Sequence, residues 1–384
     1  MHRYFKAFVH SLSLAVALCG APLAQAGDQG VSATEIKLGA SVVLSGPLGA
    51  QTSEYGVGSR LYFDSVNAAG GVHGRKISYL TIDDGFDAKR AVANTRKLID
   101  ESSVFMIYNN TGTAQTAAIL PLLEESKTIV FGPVSGASMF RDKYNRYVFN
   151  VRAGYAAEAK RIISQLTLTG ISRIAVFYQD DGLGKTLLGE LRTAASAEKI
   201  SLVAEIKLDP ANPDFPAAAE ATAKAQPQVV ILATAGTTFT NYVNAVLKTA
   251  AAPPGFYGFS VASQDIIARE VKERARGIVL AQVMPSLRNS SVPIVAEYLK
   301  LLGERSPDAK PSASQFEGFV HAKLLVTGLR RAGRDLSTES FVKAMESAGD
   351  IAFGHFIAKY TPQSHVGSTY VELAIMDNTG QLRY

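Results

Sequence analysis

The sequence predicts an α/β protein made of parallel, doubly wound sheets, and three observations carry that prediction. Short apolar runs alternate with helical patterns along most of the chain, the rhythm of repeated strand, helix, strand units. The segment Ile36 to Asp84 shows one unit in full: an apolar run to Leu44, a break at Ser45-Gly46-Pro47, a helix-like stretch ending at Gly70-Gly71, and a second strand through Ser78 to Ile82. The chain is also long for one compact core, because 358 residues remain once 26 of the 384 are set aside as a leader. Two lobes are therefore expected.

The leader comes first. His2, Arg3 and Lys6 form a basic end, Phe8 to Leu18 is largely apolar, and Ala24-Gln25-Ala26 has the small-x-small pattern of a cleavage site. Cleavage after Ala26 is expected, giving an exported, soluble protein, since the apolar run falls short of the ~20 residues a membrane-spanning helix needs. Cys19 lies inside the leader behind Leu18, where a lipid-attachment motif would carry a small residue. The mature chain then has no cysteine, which excludes disulfides, thiol catalysis and cysteine metal sites.

The run from Ile36 to Leu44 suits a strand buried on both faces, and Pro47, which has no N–H to extend a ladder, ends it. Asp87 can cap a helix in which Ala88, Ala91, Val92, Thr95, Leu98 and Ile99 share one face. Phe105 to Tyr108 and Thr128 to Phe131 read as the next strands, and Pro121 should kink or restart the helix predicted between them over 114–125. Later strands are expected at Ile174 to Tyr178, Leu202 to Ile206 and Val229 to Ala233, with helices over 157–168 and 187–197. No repeat or proline-rich linker divides the chain, so the lobes should be interwoven. Phe149 to Gly154, Leu280 to Pro285 and Phe353 to Tyr360 read as extended pieces joining them.

Charge and motif content narrow the function. The chain carries 39 Lys+Arg against 34 Asp+Glu, and losing Arg3 and Lys6 with the leader leaves 37 against 34, scattered and not clustered. A nucleic-acid partner is not expected. Gly184-Lys185-Thr186 resembles the end of a phosphate loop but has Gln179 where the required glycine would stand. Gly258-Phe259-Ser260-Val261-Ala262 approximates a nucleophile elbow with His321, His355 and His365 downstream, yet the run before it is short and glycine-rich. The histidines have no paired metal-ligand spacing, so no metal or cofactor is expected. Asp180-Asp181-Gly182 follows a strand and reads as a turn cap or a cleft-facing carboxylate.

In open α/β sheets ligands sit beyond the carboxyl ends of the strands, which places the loops Ser45 to Thr52, Asn109 to Thr116 and Gly132 to Ala137 around a binding cleft. Gly112 lets backbone approach a ligand closely, and Thr113 begins a helix whose free N–H groups suit a carboxylate. Ser135-Gly136 offers the same chemistry from the next strand.

The motifs LSGPLGA (44–50), NAAGGVHGRKI (67–77), the Thr111 to Thr113 loop, FGPVSGA (131–137), RYVFNVRAGY (146–155), RIAVFYQDDGLG (173–184) and HVGSTYVELAIM (365–376) give the chain a family likeness over nearly its whole mature length. It resembles the type I periplasmic solute-binding proteins of ABC importers, in their branched-chain amino-acid binding branch. The resemblance implies two Rossmann-like lobes joined by three crossover strands, the first of residues 28–149 and 283–354, the second of 150–282 and 355–384. It implies a periplasmic, monomeric protein that closes on a small molecule, performs no chemistry on it, and delivers it to a permease and ATPase complex. Thr111, Gly112, Thr113, Ser135 and Gly136 would hold the ligand's carboxylate, while Tyr155, Leu183, Ala235 and Ser260 would close over it from the second lobe. Gln51 and Leu183 stand where relatives often carry aromatic residues. Ser260 stands where amino-acid binders place an acid for the α-ammonium group, so a small organic acid, amide or amino-acid-like ligand is expected and a standard aliphatic amino acid is in doubt. Arg152 would serve as a second anion partner or as a structural residue. A sensor of the same fold, or a secreted α/β hydrolase using Ser260, are the alternative readings.

Overall fold

A computed structural model describes residues 28–384. The expected leader, with its cleavage site and Cys19, lies outside the described residues. In the first lobe β1 (Glu35–Val42), β2 (Lys76–Asp83), β3 (Met106–Tyr108), β4 (Ile129–Phe131) and β5 (Val148–Phe149) form a parallel sheet in the order β2-β1-β3-β4-β5. All residues of β3 and β4 are buried, which is why they read as unbroken apolar runs. The strands are joined by α1 (Gly49–Ala68), α2 (Ala88–Asp100) and α3 (Thr113–Ser126). Asp87 caps α2 as expected, its carboxylate accepting from the Arg90 N–H at 2.8 Å. Pro121 does not interrupt α3. It sits on the exposed side of the helix, so the carbonyl it leaves without a partner, that of half-buried Ala117, can be met by solvent.

The second lobe repeats the plan. After α4 (Tyr155–Leu168) come β6 (Ile174–Gln179), α5 (Gly182–Ala197), β7 (Leu202–Leu208), α6 (Phe215–Ala225), β8 (Val229–Ala233), α7 (Gly236–Thr249), β9 (Gly255–Gly258), α8 (Gln264–Val271) and β10 (Val279–Gln282), with the five strands parallel. The chain then returns to the first lobe as α9 (Pro293–Arg305), α10 (Ala313–Ala332) and α11 (Thr338–Glu346). α10 packs so tightly on α1 that a Cβ on Gly58 would collide with the Gln315 carbonyl oxygen, and one on Gly318 with that of Tyr55.

The third joining segment differs from the expectation. Phe353 to Tyr360 is not a crossover but a hairpin of β11 (Asp350–Phe353) and β12 (Phe356–Thr361), turned at Gly354 with φ +74° and continued by β13 (Ser364–Gly367). Phe356, Ala358 and Tyr360 point inward and pack in the first lobe's core with Phe149 and Phe341. That alternation, with its apolar face on the first lobe, keeps the chain there until Gly367. Only then do β14 (Glu372–Met376) and β15 (Leu382–Arg383) join the second sheet, whose order is β15-β14-β10-β9-β8-β6-β7, with β14 antiparallel to β10. Residues 355–367, expected in the second lobe, thus pack on the first. On this packing we propose lobe limits of 28–153 with 283–367, and 154–282 with 368–384.

Candidate functional site

The carboxyl ends of the two parallel sheets face each other across a cleft, and the lobes touch there. Gln51 Nε2 at the start of α1 donates to the Val261 carbonyl of the opposite lobe at 2.5 Å. Two glycines set the approach. A Cβ on Gly182 would lie 2.9 Å from that of Ala114, and one on Gly236, where φ is +59°, would lie 2.7 Å from both Leu48 Cδ2 and the Pro47 oxygen.

Between them lies a cavity of about 40 Å³. The first lobe lines it with Leu48, Gln51, Thr52, Tyr55, Phe86, Thr111, Gly112, Thr113 and Val134, and the second with Tyr155, Leu183, Ala235 and Val261. Seven of the ten expected residues are therefore brought together: Gln51, Thr111, Gly112, Thr113, Tyr155, Leu183 and Ala235. Outward, past Leu48, Phe86, Leu183 and Ala235, the space widens into an outer chamber of about 210 Å³ bounded by Gln179, Asp181, Thr234, Thr238 and Asn241. Asp181 both caps α5, accepting from the Gly184 N–H at 2.8 Å, and borders this chamber. Burial raises its carboxyl pKa, against the hydrogen bonds that favour its charge.

The other three residues stand behind the wall. Ser135 Oγ lies 2.8 Å from Thr113 Oγ1 and holds that hydroxyl in place. Gly136 accepts from the Tyr155 N–H at 2.7 Å, and a Cβ there would strike the Tyr155 ring, so its role is to seat Tyr155. Ser260 does not line the cavity.

The inner cavity has no ionisable wall residue apart from the two tyrosines, and its polarity comes from helix ends. α1, α3, α4 and α7 present their N-termini to it through Leu48, Gly112 with Thr113, Tyr155, and Ala235, and none of the four has a side-chain cap. By contrast α2, α5, α6, α8, α10 and α11 are capped by Asp or Ser side chains. Backbone carbonyls take some of these N–H groups, Tyr155's by Gly136 and Gly49's by Gly46, but each N-terminus carries the positive end of its helix dipole, so four of them bordering one space favour an anion. Gln51 Oε1 is buried without a hydrogen-bond partner beside that space.

Ser260 belongs to a charged cluster that sequence reasoning missed. Its N–H and hydroxyl donate to the Glu158 carboxylate at 2.8 and 2.9 Å, and its oxygen accepts from the Arg152 guanidinium. Arg152, fully buried on the first crossover, also lies 3.6 Å from Glu158 of the second lobe and 3.3 Å from Glu317 of α10. Burial works against the Arg152 charge, and Glu317, Tyr155 and Glu158 more than offset it. Burial likewise raises both glutamate pKa values, with Arg152 opposing. His321, on the same face of α10, has its pKa lowered by burial and by Arg152 to about 3. Its Nδ1 lies 2.6 Å from Asn109 Oδ1, and Nδ1 is the donor because Asn109 Nδ2 donates to Ser59. Arg152 is thus a structural tie between the lobes and does not reach the cavity. Among the described residues no histidine bonds to Ser260, whose hydroxyl is held instead by the Arg152-paired Glu158 carboxylate, and no cluster of metal-ligating side chains is present.

Some of what was missed carried a signal. Tyr55 follows Gln51 by one helical turn, and Glu158 follows Tyr155 by three residues, so each shares a face with an expected residue. Glu317 carried none, because it is brought in by a helix distant in the chain.

Similarity to known proteins agrees with this geometry. The periplasmic binding protein family matches residues 35–381. A curated relative, "Leu/Ile/Val-binding protein homolog 7" of Brucella suis biovar 1 (strain 1330), is 24% identical over 367 residues, covering 90% of this chain and 86% of its own. A possible leucine/isoleucine/valine-binding protein from Rhodopirellula baltica SH 1 superposes with a TM-score of 0.85 at 24% identity, over 92% of this chain and 97% of its own. A substrate-binding periplasmic protein from Ralstonia solanacearum gives 0.84 at 27%, over 91% and 99%. With nearly every described residue inside the match and both lobes reproduced, the chain belongs to the periplasmic binding protein family and is similar within it to Leu/Ile/Val-binding proteins.

Proposed function

We propose that the chain is the periplasmic substrate-binding component of an ABC importer, closing its lobes on a small organic acid, amide or amino-acid-like ligand and presenting the closed form to a membrane permease and its ATPase. The observation that carries the ligand class is the uncharged inner cavity ringed by four uncapped helix N-termini. A carboxylate there is met by free N–H groups and by the Thr113 hydroxyl. An α-ammonium group there has no counter-charge, because Glu158 and Glu317 are turned away and held by Arg152, and a buried unpaired cation costs several kcal/mol. The body of the ligand extends into the outer chamber. Membership in the family supports the transport role, and contact with both lobes supports a mechanism in which ligand favours the closed state.

A thermal-shift screen of carboxylates, amides and amino acids tests the reading, since a ligand at ~100 times its dissociation constant adds about 2.7 kcal/mol of stability. Leucine and its des-amino analogue 4-methylpentanoate form the deciding pair. The acid should stabilise more than leucine, and tight leucine binding would restore an ordinary amino-acid carrier.

A further inference from the structure

We propose that the cleft carries a second small-molecule site, beside the crossover at 283–288, that takes a carboxylate with an apolar body. A cavity of about 330 Å³ opens there, within the range of ~300–1,000 Å³ usual for small-molecule pockets. It shares no residue with the cavity at Gln51 and Leu183. Its floor is apolar: Met284, Leu299 and Phe316 come from the first lobe's core, and Leu382 from β15 of the second. An occupant therefore touches both lobes where the chain crosses between them, without displacing a ligand bound between the sheets.

Charge fixes which end faces where. Arg288 and Lys310 stand exposed on the rim, and neither is ion-paired among the described residues. Asp265 is the acidic side chain on the same rim. Two cations line the cavity against this one carboxyl, an excess of positive charge; burial and the nearby Glu54 raise the Asp265 pKa while Arg269 and Lys310 lower it. Inward, the space narrows past Gln264, Gln282 and Ala313 toward Ser260, the buried Glu317 carboxyl and Tyr55, the one residue this inner end shares with the inter-sheet cavity. A second carboxylate is unfavourable beside Glu317, so the apolar body points inward and the carboxylate stays with Arg288 and Lys310.

The chain has no tryptophan, so Gln381→Trp on the exposed rim supplies a single fluorescent reporter. Titration with octanoate should change its emission saturably. Arg288→Glu combined with Lys310→Glu should weaken that response at least tenfold, and Arg288→Gln with Lys310→Gln should weaken it in the same direction. Both pairs should leave the affinity for 4-methylpentanoate at the inter-sheet cavity, read by calorimetry, unchanged. Thr113→Ala should weaken 4-methylpentanoate binding and spare the octanoate response. The proposal fails if octanoate gives no saturable response, if the response ignores both charge changes, or if Thr113→Ala abolishes it, which would mean octanoate fills the inter-sheet cavity and the reporter senses only closure.

Discussion

Thr113 gathers most of the inner cavity's chemistry into one side chain. It begins α3 after Gly112, whose φ of +96° lets the turn open the helix N-terminus, and its hydroxyl is fixed by Ser135. Thr113→Val keeps the volume and removes the hydroxyl. Since a hydrogen bond to a charged group is worth roughly 1.5–3 kcal/mol, calorimetry should show the screened carboxylate binding about tenfold more weakly. Ser135 acts through Thr113, so adding Ser135→Ala to that variant should cost little more, and additive losses would place Ser135 on the ligand itself. Arg152→Met removes the ion-pair partner of two buried carboxylates, Glu158 and Glu317, and should cost about 3–5 kcal/mol in urea unfolding. Because both glutamate pKa values are raised in the folded state, that deficit should deepen as pH rises above the ordinary value of 4.5 and shrink below it. His321 runs the other way. Held down to about 3 from 6.5, it binds its proton in the unfolded chain first, so the stability it contributes above pH 6.5 is lost as pH falls toward 3, at about 1.4 kcal/mol per unit. Unfolding of His321→Gln across pH 7 to 4 should show a flatter dependence than the parent, and parallel curves would remove His321 as the cause.

At the scale of elements, the docking of α10 on α1 rests on Gly58 and Gly318, where helix backbones meet without intervening side chains. Gly58→Ala or Gly318→Ala must push the helices apart, and overpacking of this kind costs about 1–3 kcal/mol, readable as a lowered melting temperature. The Asp87 cap is a milder case: Asp87→Ala should cost about 1 kcal/mol and leave the cleft untouched. The Asp87 cap was legible in the sequence, whereas the Gly58 and Gly318 contacts were not. Asp87 acts on a backbone three residues away, so local pattern was enough, as it was for β3, β4, β6 and β8, whose buried runs announce themselves. Phe353 to Tyr360 reads as an extended joining piece in the sequence because a short strand pair with one buried face looks like extended chain until its partner is known. The loops of the cavity were found because strand ends are predictable places. The Arg152 cluster was not, because Glu158, Ser260 and Glu317 meet only through tertiary packing, and a serine read by itself gives no sign of the carboxylate behind it.

For the whole molecule, the proposed closure would depend on small residues at the facing edges of the lobes. Gly236→Val would strain a positive φ and press on Leu48 and Pro47, so small-angle scattering should report a more open average and calorimetry a weaker ligand, with the melting of the second lobe's core little changed. Unaltered affinity would mean that the lobes close on ligand by another path. The interleaving of the chain has a further consequence, in time and not in space. The second lobe's strands β6 to β10 arrive as one continuous stretch, whereas the first lobe waits for α10, α11 and the hairpin at 350–361, all more than 140 residues beyond its sheet. Contacts that span such distances close late, because the loop entropy is lost before the contacts repay it. In refolding followed by pulsed hydrogen exchange, amides of β6 and β8 should gain protection before those of β1 and β3. The face of α1 that lines the cavity would then be the last part of the cleft to acquire its shape, and a chain cut short before α10 would hold half a cleft with nothing opposite it.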